Sequence, residues 1–125
     1  MRNIVRALTA VATGVLILAG TATSAQAASF TKRCDEIPGQ TTLLACSMAI
    51  PSFPGGTMSI DVDANGSGTG HWILFKHGSL RACETDYDLV APAQSWVCHN
   101  LGADNYVLYN VVQPSSTWAR QGVRW

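Results

Sequence analysis

The chain has 125 residues with eight basic and eight acidic side chains, so its formal net charge at neutral pH is zero. The basic residues are few and scattered, whereas a nucleic-acid-binding domain normally carries a basic patch, so the composition argues against a nucleic-acid partner. The length is enough for a targeting segment and one small domain.

Residues 1–27 have the pattern of a secretory signal peptide. Arg2 and Arg6 form a basic start, residues 11–18 (VATGVLIL) form an apolar core, and residues 25–27 (AQA) form a small-x-small cleavage site. The apolar core is short for a membrane span, and an uncleaved anchor is the alternative. We predict a protein that is exported and released, without membrane attachment after cleavage. Loss of the two arginines leaves six basic and eight acidic residues, a net charge of −2, on one mature domain, 28–125.

The mature sequence is predicted to be almost entirely β-strand. Alternating apolar and polar residues, or short apolar runs rich in β-branched and aromatic residues, indicate strands. The predicted strands are residues 43–50 (LLACSMAI), 58–62 (MSIDV), 72–75 (WILF), 95–98 (SWVC), 106–112 (YVLYNVV) and 121–125 (QGVRW), the last as an edge strand. Turn signals separate them at residues 53–56, 65–66, 77–79, 102–105 and 113–116. Short strands at this spacing predict a small antiparallel β-sandwich or barrel.

Residues 61–72 (DVDANGSGTGHW) begin like the calcium-binding loop of an EF-hand. Such a loop needs a bidentate glutamate at its twelfth position, where this chain has Trp72, and it needs helices on both sides. The flanking segments are instead predicted strands. A weak surface calcium site formed by Asp61 and Asp63 remains as an alternative.

The dipeptide Asn65-Gly66 within this stretch favours a type I′ hairpin turn, because both residues tolerate positive φ. In such a hairpin Val62 would face Thr69, and Ile60 would face His71. The two aspartates would then lie on the opposite, solvated face. The stretch is therefore predicted to be a hairpin turn.

The four cysteines Cys34, Cys46, Cys83 and Cys98 all lie in the mature part. An even number of cysteines in a small exported domain predicts two disulfides. Three pairings are possible, and we favour Cys34–Cys46 and Cys83–Cys98, since each closes a short local loop. The alternative is a zinc site made by Cys83, Cys98 and His99, although these residues lack paired C-x-x-C spacing.

The order of motifs along the mature chain resembles that of a known family. The motifs are PSFPGGT (51–57), MSIDV (58–62), WILFKHGS (72–79), Cys83, Tyr87-Asp88, Cys98 and GADNYVL (102–108). The bacterial pre-peptidase C-terminal (PPC) domain family has a similar order of turn, strands and cysteine pair, but Gly70-His71 stand here in place of its usual acidic residue. The resemblance implies a jelly-roll-like β-sandwich and a disulfide between Cys83 and Cys98.

Large aromatic residues near the C-terminus indicate a binding function. Trp118 and Trp125 lie in or beyond a polar stretch and are accompanied by Arg120 and Arg124. Exposed aromatic rings stack on sugars or anchor protein interfaces, and arginine is enriched at such surfaces. We predict a secreted, non-catalytic binding module for an extracellular polymer or carbohydrate, without a cofactor.

Two other classes of function remain as alternatives. One is a protein-interaction subunit of a secreted assembly or a protease inhibitor, with residues 45–54 (ACSMAIPSFP) as the inhibitory segment. The other is a small secreted hydrolase that depends on His71 or Glu84. Asp86 would share a strand face with Glu84, but no motif of a known catalytic class is present.

Overall fold

The computed structural model describes residues 27–36, 44–77 and 79–125. The predicted signal peptide lies outside these residues except for Ala27, so it stays a prediction. In the part of the chain that the structure describes, no helix is long and apolar enough to cross a membrane.

Eight strands form within the described residues. They are β1 (Ser29–Asp35), β2 (Leu44–Phe53), β3 (Gly56–Ala64), β4 (Thr69–Lys76), β5 (Leu80–Asp88), β6 (Gln94–Leu101), β7 (Asp104–Val112) and β8 (Trp118–Arg124). The six predicted strands correspond to β2, β3, β4, β6, β7 and β8, with boundaries that differ by a few residues. Strands β1 and β5 were not predicted, because most of their side chains are polar or exposed.

The strands form two antiparallel sheets that pack face to face. Sheet A has the order β1-β8-β3-β6 and sheet B has the order β2-β7-β4-β5. This pairing of eight strands across two sheets is that of a jelly roll. The prediction of a small, disulfide-stabilised antiparallel β-sandwich of jelly-roll type is therefore confirmed.

The core lies between the sheets and is built by alternate residues of each strand. Met58, Ile60 and Val62 of β3 are buried on one side, as predicted. Trp72 and Leu74 of β4 are buried from the opposite sheet. Each such side chain contributes about 1.5–3 kcal/mol through removal of apolar surface from water.

Both disulfides join the two sheets, one at each open side of the sandwich. Cys34 of β1 is bonded to Cys46 of β2, and Cys83 of β5 is bonded to Cys98 of β6. These four strands are the sheet edges. The favoured pairing is confirmed, and the zinc alternative fails because its two sulfurs are already bonded to each other.

The predicted hairpin at Asn65-Gly66 is wrong. Strand β3 pairs with β6 and β8, whereas β4 pairs with β5 and β7, so the turn carries the chain from one sheet to the other. The Asn65 side-chain oxygen accepts hydrogen bonds from the backbone amides of Thr117 (2.8 Å) and Trp118 (3.0 Å). These bonds attach the turn to the loop before β8. The strands on either side of the turn, β3 and β4, bury their apolar faces against the core from opposite sheets.

The prediction that residues 121–125 form an edge strand is also wrong. Strand β8 lies between β1 and β3, because β1 pairs along the side that was expected to be free. Gln121 is 1% exposed, and its Nε2 donates to the carbonyl oxygens of Leu108 (3.0 Å) and Cys46 (3.3 Å) in sheet B. Strand β8 is therefore hydrogen-bonded to both sheets.

Candidate functional site

The outer face of sheet A carries most of the predicted binding residues. Along β8 the side chains alternate, so that Ala119, Gln121 and Val123 are buried in the sandwich. Trp118, Arg120, Gly122 and Arg124 alternate with them and lie on the outer face. Three of the four predicted binding residues thus share one strand face.

A groove of about 250 Å³ runs across this face at Gly122. Its lining includes Thr31, Asp61, Asp63, Arg120, Gly122 and Arg124. The groove exists because the central position of β8 has no side chain, whereas its neighbours on the same face are arginines. A Cβ atom at Gly122 would lie 3.1 Å from the carbonyl oxygen of Phe30 and 3.4 Å from Thr31 Oγ1.

One wall of the groove is a hydrogen-bonded charge network. Arg124 Nε donates to Asp61 Oδ2 (2.9 Å), and Arg124 Nη2 donates to Asp61 Oδ1 (3.2 Å). Ser95 Oγ donates to Asp61 Oδ1 at 2.5 Å. The hydrogen bond from Arg124 lowers the pKa of Asp61 below its ordinary value, against the opposing effect of partial burial, and Ser95 adds to the lowering. The carboxylate is therefore held ionised and in a fixed orientation.

The opposite wall of the groove is the next row of residues across sheet A. Arg120 lies in register with Asp63 of β3 on one side and with Arg33 of β1 on the other. The Arg33 guanidinium carbon lies 5.1 Å from the ring centroid of Trp118, a cation–π contact that orients the half-buried indole. Arg120 thus lies between the groove and an ordered aromatic ring.

The charges on this face balance. Arg33, Arg120 and Arg124 supply three positive charges, and Asp35, Asp61 and Asp63 supply three negative ones. Donors and acceptors therefore lie side by side over a floor without charge, an arrangement that fits a neutral ligand with many hydroxyl groups.

Trp125 does not lie with the other three predicted binding residues. Its ring stacks on Phe30 at a centroid distance of 5.6 Å and meets Phe53 edge to face at 5.1 Å. It is a partly buried neighbour of the core and does not line the groove. Because side chains alternate between the two faces of a strand, Trp125, directly after Arg124, lies on the other side of the sheet.

Asp61 and Asp63, the proposed ligands of the calcium alternative, lie on the same outer face of β3. Both oxygens of Asp61 already accept hydrogen bonds from Arg124, so a cation bound there would have to displace a guanidinium. Among the described residues, no group of three or more His, Cys, Asp or Glu side chains could hold a metal ion. The geometry does not favour a calcium site here.

The residues of the hydrolase alternative meet on the outer face of sheet B. His71 Nδ1 lies 2.7 Å from Asp86 Oδ1, and His71 Nε2 lies 3.0 Å from Glu84 Oε2. Partial burial lowers the pKa of His71, but the hydrogen bonds to Asp86 and Glu84 outweigh it and raise the pKa above its ordinary value. The bond to His71 in turn lowers the pKa of Glu84. A general base needs a free ring nitrogen, and both nitrogens of His71 face carboxylates.

The segment of the protease-inhibitor alternative forms strand β2 rather than a protruding loop. Cys46, Met48, Ile50 and Phe53 in this segment are all buried in the core. Strand β2 also pairs with β7 along most of its length. A protease cleft would have to pull this strand out of the sandwich, so the geometry does not favour inhibition through residues 45–54.

Sequence reasoning missed two groove residues, Gly122 and Thr31, and also Ser95, which bonds to Asp61 in the groove wall. The signal for Gly122 was present, since Trp118, Arg120, Gly122 and Arg124 recur at every second position of a strand. Thr31 lies on β1, which was not predicted. Ser95 was predicted on a strand, but its pairing with Asp61 depends on the register of β3 with β6.

A comparison of the sequence with protein-family models finds no match, and a comparison with curated proteins finds none either. The resemblance to the PPC domain family therefore stays a prediction.

Proposed function

We propose that this protein is an exported, non-catalytic binding module whose groove on sheet A holds a neutral extracellular carbohydrate polymer. The observation that carries the proposal is the groove at Gly122, which lies between Arg120 and Asp63 on one side and Arg124 and Asp61 on the other. Concave sites of this kind fix a ligand by a few well-placed polar groups.

The chemistry of the groove suits adjacent hydroxyl groups of a sugar ring. A guanidinium beside a carboxylate offers a donor and an acceptor a few ångströms apart, and a pair of neighbouring hydroxyls can bond to both. The network of Asp61, Ser95 and Arg124 is already formed in the free protein. Less side-chain freedom is therefore lost on binding than with mobile charged side chains.

Trp118 extends the proposed site along β8. It lies two residues from Arg120 on the same strand face, a distance of about 7 Å along the strand. A flat indole gives a large contact area with few rotatable bonds, and stacking on a sugar face uses that area. A polymer that occupies the groove would thus place a neighbouring unit beside the ring.

The two disulfides support the exported location in this proposal. All four cysteines are bonded, and such bonds persist in oxidising compartments outside the cytosol. Secretion would account both for these disulfides and for the signal-peptide pattern of residues 1–27.

Affinity electrophoresis of the mature protein in gels with soluble polysaccharides tests the proposal. Xylan, hydroxyethylcellulose and glycol chitin serve as neutral probes, and polygalacturonate serves as the anionic probe. We expect retardation by at least one neutral polymer, no stronger retardation by polygalacturonate, and little sensitivity to salt, because the charges on the face balance.

Two arginine variants provide the site-specific comparison. Arg120→Ala is expected to weaken retardation, whereas Arg81→Ala, a 62% exposed arginine on sheet B, leaves it unchanged. Equal behaviour of the two variants, or retardation only by polygalacturonate, would contradict the proposal.

A further inference from the structure

The outer face of sheet B is mostly apolar on strands β2, β7 and β4. Three rows of outward side chains cross the four strands in register. The rows are Ala45–Val111–His71–Asp86, Ser47–Tyr109–Ile73–Glu84 and Ala49–Val107–Phe75–Arg81. We call these side chains the apolar face. Its residues on β2 and β7 carry no charge, and the charged side chains of the rows lie on the edge strand β5.

The apolar face is accessible in the isolated chain. Ala45, Ser47 and Ala49 are exposed, Val107, Tyr109, Val111 and Phe75 are half-buried, and Ile73 of the central row is buried at 8% exposure. Folding of the sandwich requires none of these outward side chains to be apolar, since antiparallel sheets usually carry polar residues on their solvated face. A largely apolar patch bordered by charge is a candidate interaction site.

We propose that a second copy of this chain covers the apolar face, forming a two-fold dimer in which the B sheets pack against each other. The two-fold axis runs parallel to the strands, between the faces. This axis places β2 of one copy over β5 of its partner and β7 over β4. The proposal does not depend on the groove of sheet A binding a ligand.

The shapes of the strands fit this arrangement. Strand β2 presents only the small side chains of Ala45, Ser47 and Ala49, so one edge of the face is low. Strand β5 presents the long side chains of Arg81, Glu84 and Asp86 at the other edge, which is high. Rotation about an axis parallel to the strands brings the low edge of each copy against the high edge of its partner.

The charges fit the same axis. Lys32 of β1 reaches the edge of β2, where its Nζ donates to the carbonyl oxygen of Ser47 at 2.7 Å. Ser47 and Glu84 are the two ends of the central row. The rotation therefore places Lys32 of each copy opposite the partner's Glu84, a carboxylate that also bonds to His71 and Arg81 of its own chain. A two-fold axis perpendicular to the strands and centred on the middle row would instead place β5 on β5, with Glu84 facing the partner's Glu84.

The size of the face suits a weak dimer. Four strands spaced by about 4.8 Å and three rows spaced by about 6.7 Å cover a plane of roughly 19 by 20 Å, or about 380 Å². Accessible surface over side chains exceeds this plane but stays below the roughly 800 Å² that stable interfaces bury on each partner, so we expect the dimer only at high protein concentration. Packed B sheets would leave the two sheet A faces on the outside, pointing in opposite directions.

Sedimentation velocity and multi-angle light scattering of the mature protein, from low micromolar to several hundred micromolar, test the proposal. We expect the dimer mass at the upper end of this range. Ala49→Arg places a charged chain opposite Arg81 of the partner at the edge of the proposed contact and is expected to give a monomer. Val97→Arg, at a 50% exposed position of strand β6 in sheet A, is the matched control and is expected to leave the dimer unchanged.

A charge exchange tests the axis. Lys32→Glu and Glu84→Lys are each expected to weaken dimerisation at least tenfold, and the double variant is expected to recover most of the loss. Circular dichroism of each variant establishes that the sandwich is folded. A wild-type monomer throughout the concentration range, an Ala49→Arg dimer of wild-type affinity, or a double variant as weak as its worse parent would overturn the proposal. Polysaccharide binding by a strictly monomeric protein would overturn the dimer alone, whereas a dimer without binding would contradict only the proposed function.

Discussion

The outer faces of the two sheets differ, although their inner faces follow the same rule. Inward positions of both sheets alternate with outward ones and fill one core with apolar side chains. Outward positions of sheet A carry arginines and aspartates around a groove, whereas those of sheet B are mainly alanine, valine and aromatic residues. The fold requires only the inward pattern. We propose that the contrast between the outer faces reflects what each face contacts, with ligand binding on sheet A and self-association on sheet B.

The largest expected effect comes from removal of the disulfides that join the two sheets. Removal of the Cys83–Cys98 bond by the paired change Cys83→Ala and Cys98→Ala is expected to lower the free energy of unfolding by about 3 kcal/mol, since the bond closes a loop with a separation of 15 residues. Removal of Cys34–Cys46, with a separation of 12, should cost a similar amount. Urea denaturation measures both, and a change below about 1 kcal/mol for either pair would contradict the stabilising role.

The next prediction changes one aromatic residue on each outer face and measures polysaccharide affinity and dimerisation separately. Trp118→Ala is expected to weaken polysaccharide affinity about tenfold, or 1.4 kcal/mol, and to leave the dimer intact. Tyr109→Ala on the apolar face should do the reverse, because it removes the central aromatic contact of the proposed dimer. Titration calorimetry and sedimentation measure the two properties. If both variants changed the same property, the assignment of separate roles would fail.

Acid stability tests the charge network on sheet A. The pKa of Asp61 is lowered in the folded protein, so its contribution is complete above its ordinary value of 3.8 and is lost as the pH falls through the folded value. The side chain is 41% exposed, so we expect Asp61→Asn to cost no more than about 1 kcal/mol at neutral pH. Urea denaturation of both proteins from pH 7 to pH 2 should show this difference shrinking in acid. A difference that stays constant to pH 2 would show that another interaction is responsible.

The smallest effect, on sheet B, has the opposite dependence on pH. The pKa of His71 is raised, so its contribution is complete below the ordinary value of 6.5 and is lost as the pH rises through the folded value. The side chain is 37% exposed, and we expect His71→Gln to cost only about 0.5 kcal/mol at pH 5.5. The cost should disappear at alkaline pH. Imidazole NMR titration measures the pKa itself, and a value at or below 6.5 would refute the assignment.

The sequence was sufficient to predict the fold class, both disulfides and most strands. Alternation in residues 58–62 correctly identified the inward side of β3. Alternation does not identify the pairing partner, however, and Asn65-Gly66 suits a crossing between sheets as well as a hairpin. Strand β1 was missed because its seven residues include only one large apolar side chain, Phe30, and this omission also made β8 look like an edge.

The candidate site was only partly predictable. Trp118, Arg120 and Arg124 were identified from their residue types, and their even spacing excludes Trp125 from the same face. The groove itself depends on Gly122 lying between strands from distant parts of the chain. Those neighbours, such as Thr31 and Asp61, are set by strand register, which local sequence does not determine.

The central claim is that ligand binding belongs to the outer face of sheet A and not to that of sheet B. Amide NMR of the isotope-labelled mature protein, titrated separately with xylohexaose, cellohexaose and chitohexaose, tests it most directly. We predict that at least one oligosaccharide shifts the amides of Thr31, Asp61, Arg120 and Gly122 and leaves that of Tyr109 unchanged. Shifts centred on Tyr109 with an unaffected groove, or no shift with any of the three probes, would contradict the account.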